Sequence, residues 1–171
     1  MRALITGGSG YLGSLLVKKL LLNNWECRVL DINNFHGDDK LKFIKGDVRD
    51  QKILFKSCDE IDVVFHNVAQ VPLAKDRNLF NSVNIDGTIN VLEASISRVI
   101  KKVIYTSSSA TYGVPDKNSV TESSVPRSKE YYGEAKYIAE KKCEEYISKG
   151  LDIIIIRDSY DWYCINRDKI L

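Results

Sequence analysis

The chain has no run of apolar residues near the ~18 that a membrane-spanning helix requires. It also lacks a charge of one dominant sign: 25 Lys and Arg face 23 Asp and Glu, for a net charge of +2. The basic pairs Lys18-Lys19, Lys101-Lys102 and Lys141-Lys142 are short, and the last runs straight into Glu144-Glu145. They read as solvated faces, not as the larger single-sign patch that steers nucleic acid or a membrane surface. The two histidines, His36 and His66, stand far apart, and Cys27, Cys58, Cys143 and Cys164 form no CxxC pair. That is not metal-ligand spacing, so no metal is expected. The opening "MRALIT" meets Gly7-Gly8 at once. It reads as a strand and is too short for a secretory signal, which points to reduced thiols in a cytoplasmic protein. Internal repeats, low-complexity stretches and domain linkers are missing too.

What remains is an ordinary globular composition, 44% hydrophobic and 28% charged over 171 residues. That is one domain by length, large enough to bury about two thirds of its unfolded surface.

Short apolar runs alternate with helical patterns from the first residue. "RALIT", "ECRVLD", "LKFIKGD", "IDVVFH", "KVIYTSS" and "LDIIIIR" read as six strands. "YLGSLLVKKLLLNN", a stretch from about Leu79 to Ser97, and "EYYGEAKYIAEKKCEEYISKG" read as helices, the last stopped by Gly150. Near-continuous apolar strands separated by helices imply a parallel sheet buried on both faces, including the sixth strand. The expected fold is a doubly wound, Rossmann-like α/β layer of about six strands. The Ser/Thr/Pro-rich stretch from Val114 to Lys129 is expected to lie over the strand ends, where such sheets place ligands.

"TGGSGYLG" lies between the first strand and the first helix. Gly8, Gly10 and Gly13 satisfy G-x-G-x-x-G, and Gly7, Gly10 and Gly13 satisfy GxxGxxG. Either spacing serves a tight turn, close backbone approach to a pyrophosphate, and helix–strand contact. The helix start at Tyr11 and Leu12 offers N–H groups and a positive dipole end. A glycine-rich turn can also be only a tight turn, but the strand before it and the helix after it are the right context. Asp31 ends the second strand, 18 residues beyond Gly13. Its carboxylate can accept from ribose hydroxyls and would repel a 2′-phosphate. Ile32-Asn33-Asn34 brings no arginine to compensate, which favours NAD over NADP. A simple strand-end cap is the alternative for Asp31.

In "YYGEAKY", Tyr132 and Lys136 stand four apart and share a helix face, about 5–6 Å apart at Cβ. For Tyr132 to act as a general base its pKa must fall from about 10 to near 7, about 4 kcal/mol. One positive charge at ~4 Å in an effective dielectric of 20 supplies a similar amount. The same pair alone also describes a surface Tyr/Lys couple. "YTSSSATYG" brings serine hydroxyls to the end of the fifth strand, where one could hold a substrate oxygen against the tyrosine, or simply make a turn.

Taken in order, "TGGSGYLG", Asp31, "KGDVRD", "FHNVAQVPLAKD", "SVNIDGTINVLEA", "KVIYTSSSATYG" and "YYGEAKYIAE" resemble the extended short-chain dehydrogenase/reductases, in their NAD-dependent epimerase/dehydratase branch. The resemblance implies that the glycines cradle the NAD pyrophosphate and that Asp47 and Val48 contact the adenine. It implies that Val68 and Ala69 line the dinucleotide with backbone and that Asn84 belongs to the cofactor site. It makes Tyr132 the proton acceptor, Lys136 the ligand of the nicotinamide ribose, and Ser108 the catalytic serine, with Ser109 its rival. Dehydratases of the family carry Thr-Asp-Glu where this chain has Ser108-Ser109-Ala110, so an epimerase or related reductase acting on a nucleotide sugar fits better. The family often dimerises through two long helices, here near 79–97 and 130–149.

The resemblance breaks at the end. Arg157 fits the start of an Arg-Pro-x-Asn-Val-Tyr-Gly-Pro-like segment, but Asp158 stands at the proline and "SYDWYCINRDKIL" matches nothing expected. The expected organisation is a cofactor domain over 1–157 and a divergent tail over 158–171, with most of the family's C-terminal substrate domain lacking. Two functions therefore compete: the N-terminal part of an NAD-dependent sugar-nucleotide epimerase, and a truncated NAD-binding or subunit-associating protein without turnover.

Overall fold

The structure, a computed structural model, describes residues 1–35, 41–70, 76–114 and 120–158. The strands are β1 (Arg2–Thr6), β2 (Glu26–Asp31), β3 (Lys42–Lys45), β4 (Val63–His66), β5 (Lys102–Ser108) and β6 (Ile153–Asp158). The helices are α1 (Tyr11–Leu22), α2 (Gln51–Ser57), α3 (Arg77–Asn81), α4 (Gly87–Ser97) and α5 (Tyr131–Ser148). All strand pairs are parallel, in the order β3-β2-β1-β4-β5-β6. The order reverses between β1 and β4, and ligands of such sheets bind outside the carboxyl ends of the strands at that point.

Residue alternation along the strands feeds two apolar clusters, one per face. Ala3, Ile5 and Val29 meet Val17 and Leu20 of α1. Leu4, Leu30, Val64 and Val103 meet Leu54 of α2, Val91 and Leu92 of α4, and Ala139 and Cys143 of α5. This is the doubly wound layer that the strand–helix alternation implies.

Three details depart from the sequence reading. Helix α2 is additional. Asp50 caps it, its carboxylate accepting from the Ile53 N–H at 3.1 Å. The long helix near 79–97 is α3 and α4 joined through a π-helical turn, Ser82–Asp86, and starts at Arg77. Strand β6 is not buried on both faces: Ile153 is buried, but Ile154 and Ile156 are 44% and 47% exposed. β6 is the sheet edge, and among the described residues the helices nearest it lie on the other face.

Candidate active site

The turn after β1 closes by hydrogen bonds from the Gly7 N–H to the Leu30 carbonyl at 2.9 Å and from the Gly10 N–H to the Gly7 carbonyl at 3.1 Å. Gly7 has φ +73°, and a Cβ there would stand 3.0 Å from the Val68 backbone nitrogen. A Cβ on Gly13 would collide with the Gly7 carbonyl oxygen. The turn, α1 and the segment after β4 are thus brought together at backbone distance. α1 starts behind Gly10 with no side-chain cap. A helix start of this kind, with N–H groups and the positive dipole end at its first turn, suits an anion.

Asp31 is 8% exposed, and its two carboxylate oxygens accept from the Ser9 and Asn33 N–H groups, both at 2.9 Å. Asp31 therefore ties the glycine turn to the end of β2 and keeps lone pairs for further donors. The Asp47 carboxylate is gripped by Arg49, with Nε at 3.0 Å from each oxygen and Nη2 at 2.6 Å from Oδ2. That contact holds Asp47 below the usual carboxylate range. Val48 is buried and its carbonyl accepts from Asn90.

Asn84, buried in the π turn, clamps the segment after β4. Its Oδ1 accepts from the Gln70 N–H at 2.8 Å and its Nδ2 donates to the Gln70 carbonyl at 3.1 Å. Val68 and Ala69 precede that clamp, with the Val68 backbone nitrogen beside the Gly7 turn. The residues 71–75 of "AQVPLAKD", the residues 115–119 of the Ser/Thr/Pro-rich stretch, and the tail 159–171 lie outside the described residues.

Ser108 ends β5 and caps a short 3-10 turn (Ser109–Tyr112), accepting from the Ala110 N–H at 3.1 Å. Its hydroxyl sits beside the Tyr132 phenol and stabilises the ionised form, while burial pushes the phenol's pKa up overall. Of the two candidate serines, Ser108 is the one in this contact. Lys136 is 2% exposed, donates to the Thr106 carbonyl at 2.7 Å, and has its pKa pulled down to about 8 by burial. Ser108, Tyr132 and Lys136 therefore gather at the carboxyl end of β5, the same sheet edge as the glycine turn. The sequence reading missed Gly133: a Cβ there would collide with the Ala110 carbonyl and Ser128. Only a glycine next to Tyr132 lets the turn after Ser108 lie this close to α5.

The strand order, the glycine turn and the Ser–Tyr–Lys group define a dinucleotide-binding α/β domain of the short-chain dehydrogenase/reductase type. A family model for the NAD dependent epimerase/dehydratase family matches residues 3–159, and the chain belongs to that family of enzymes. It is 46% identical over 157 residues to the uncharacterized protein y4nG of Sinorhizobium fredii, covering 91% of this chain and 40% of that protein. It is 34% identical over 175 residues to a putative UDP-glucose 4-epimerase of Methanocaldococcus jannaschii, covering 91% and 54%. The crystal structure of the Thermus thermophilus UDP-glucose 4-epimerase with NAD superposes with a TM-score of 0.84 at 31% identity, over 92% of this chain and 54% of that one. The chain spans about half the length of the relatives it matches.

The residues fit a dinucleotide. A Cβ at Gly7 or Gly13 would meet backbone, so the turn is bare backbone at these positions, and Gly10 gives α1 no side-chain cap. Among the described residues no helix is long and apolar enough to cross a membrane, and no cluster of His, Cys, Asp or Glu could hold a metal.

Proposed function

We propose that residues 1–157 bind NAD and carry the catalytic groups of an epimerase-like oxidoreductase acting on a nucleotide sugar, with 158–171 a divergent tail. The carrying observation is the convergence of Ser108, Tyr132 and Lys136 at the sheet edge that also holds the glycine turn. The glycine turn and α1 would take the pyrophosphate, Asp31 the adenosine ribose, Asp47 and the Val48 backbone the adenine. Val68, Ala69 and Asn84 would shape the wall beside the dinucleotide. NAD, when bound, supplies a hydride acceptor and a positively charged ring.

Tyr132 takes the proton from a sugar hydroxyl as that carbon is oxidised, and returns it on reduction. Ser108 donates to the same oxygen and steadies its charge. Burial opposes ionisation of Tyr132, so Lys136 must act as a cation, which it is below about pH 8. It lowers the cost of the phenolate and holds the nicotinamide ribose. The UDP-glucose epimerases among the similar proteins support the nucleotide-sugar class. We further assign the protein to the cytoplasm. The exposed Ile96, Ile138 and Ile147 on α4 and α5 support a homodimer through those helices.

A second reading is NAD binding by residues 1–171 without turnover of their own. Calorimetric titration with NAD, alongside a UDP-sugar interconversion assay, separates the two. We expect NAD binding and little conversion by residues 1–171 alone. Absence of NAD binding sinks both readings, and robust conversion by this chain removes the second.

A further inference from the structure

Three consecutive residues at the end of β5 meet three residues of α5 spaced four apart. The Thr106 carbonyl accepts from Lys136 at 2.7 Å, the Ser107 hydroxyl donates to Glu140 Oε1 at 2.5 Å, and the Ser108 hydroxyl lies beside Tyr132. Positions 132, 136 and 140 form one stripe along the helix. Two of these are the pair the proposed chemistry uses. Glu140 is unused by it, yet it is 0% exposed.

A carboxylate is rarely buried so completely without a partner. Its partner comes from the sheet edge. Arg157 of β6 places Nε 2.9 Å from Oε1 and Nη2 2.7 Å from Oε2 of Glu140, the fork geometry that suits a guanidinium. The same guanidinium donates through Nη1 to the Tyr112 hydroxyl at 2.6 Å and to the Glu122 carbonyl at 3.5 Å. One ion pair thus joins α5, β5, β6 and the turn that carries Ser108.

We propose that Glu140 is a positioning residue for the Tyr132–Lys136 pair. With Ser107 and Arg157 it sets the rotation of α5 against β5, and its negative charge keeps the buried Lys136 an ammonium. The inference rests on the roles given above to Tyr132 and Lys136. The groups facing Lys136 leave Glu140 as the anion that counts. On α5, Cys143 is a neutral thiol because burial raises its pKa to about 12, and Tyr132 is shifted up as well. Tyr105 of β5, whose ring centroid is 4.9 Å from the Lys136 nitrogen, is held neutral by burial. On β4, burial lowers His66 to about 3 and keeps it uncharged. From β6 come Arg157, which offsets part of the Glu140 charge, and Asp158, which acts on Tyr132. A neutral side chain of the same shape could bridge Ser107 and hold the helix. Only a charged one supports the ammonium.

The test follows the Lys136 side chain by NMR titration of the 171-residue chain, its signal assigned by loss in K136R. In the unsubstituted protein the midpoint is expected near 8. In Glu140→Gln, which keeps the shape and the bond from Ser107, it should fall by about one unit. In Glu140→Gln/Arg157→Met, where the opposing charge also goes, the fall should be smaller but present. Glu140→Asp should restore most of the midpoint. An unchanged Lys136 midpoint in folded E140Q overturns the proposal. If E140Q does not fold, the double variant decides it, since replacing both members of a buried ion pair by uncharged groups is often tolerated. There, an unshifted midpoint is equally fatal. Titration of the unsubstituted chain with NAD is read separately: failure to bind NAD removes the functional reading without touching the Lys136 result.

Discussion

His66 Nε2 lies 3.0 Å from Thr88 Oγ1, and that hydroxyl already donates to the Asn84 carbonyl at 2.7 Å. The imidazole must therefore donate from Nε2 and accept at Nδ1, where the Thr6 hydroxyl stands at 2.7 Å. A buried relay of β1, β4, α4 and the π turn fixes one neutral tautomer. It ends on the residue that clamps the backbone of Gln70.

This arrangement gives the chain a pH-dependent stability. Burial, reinforced by the charge of Lys136, lowers His66 from 6.5 to about 3. The unfolded chain takes up a proton below about 6.5 and the folded chain does not until near 3. The stabilisation is therefore complete above the unfolded value and is lost as pH falls toward the folded one, by about 1.4 kcal/mol per unit. Urea unfolding at pH 7.0, 5.5 and 4.5 checks it (roughly one proton's worth of slope is expected). His66→Gln should show a shallower loss over that range. Parallel curves for the two proteins would contradict the assignment.

Lys136 should be a stability liability. Its pKa is lowered from 10.5 to about 8 by burial, so at neutral pH the folded state holds a charge it disfavours by about 3 kcal/mol. The penalty is relieved as pH rises through 8 toward 10.5. Lys136→Met removes it but leaves the Thr106 carbonyl without its donor, which costs about 1–3 kcal/mol. The variant should be more stable at pH 7 by about 1 kcal/mol in net while binding NAD more weakly. Chemical denaturation and NAD titration of the same samples give both quantities.

Asp31 should set cofactor choice. Its buried carboxylate would face a 2′-phosphate with no arginine nearby in Ile32-Asn33-Asn34. NAD should bind at least about tenfold tighter than NADP, a difference of about 1.4 kcal/mol. Asp31→Asn should narrow the gap. It should also lower stability, because one of the Ser9 and Asn33 N–H groups loses its acceptor. Tighter binding of NADP by the unsubstituted chain would refute the role.

Gly13→Ala and Gly133→Ala probe two close approaches of backbone. Each new Cβ meets a carbonyl oxygen, of Gly7 in the first case and of Ala110 in the second. Each should destabilise by about 1–3 kcal/mol, as overpacking does. Their functional effects should differ: G13A should abolish NAD binding, while G133A should leave it measurable and raise the solvent exposure of Tyr132. Thermal unfolding with NAD titration, and tyrosine fluorescence of G133A, distinguish them.

Much of the frame is legible because parallel strands advertise themselves. "RALIT", "IDVVFH" and "KVIYTSS" are apolar on both sides and stop at Gly, Asn or Ser, and all six strands lie where these runs fall. Helix α2 escaped because seven residues with two lysines carry too little period, although Asp50 stood as its cap. The half-exposure of Ile154 and Ile156 was not legible, since a strand's sequence does not reveal whether a helix lies over it. In the site, the glycines and the Tyr132–Lys136 spacing could be read directly. The grip of Arg49 on Asp47 could not. Glu140 sat unread in "AKYIAEKK", where it looks like one more solvated charge. The signal was available, since Glu140 follows Lys136 by the interval that separates Tyr132 from Lys136.

The π turn at Ser82–Asp86 works as a phase shifter. An α-helix advances about 100° per residue, and a π turn accommodates one extra residue without breaking the rod. Phe80, before the turn, faces the interior, as do Val91 and Leu92 after it. The surplus residue lets both stretches keep their apolar stripes inward while Asn84, between them, aims its amide at Gln70. Shortening the turn by one residue would bring the rod back into phase, and it could no longer satisfy the core and the Gln70 clamp together.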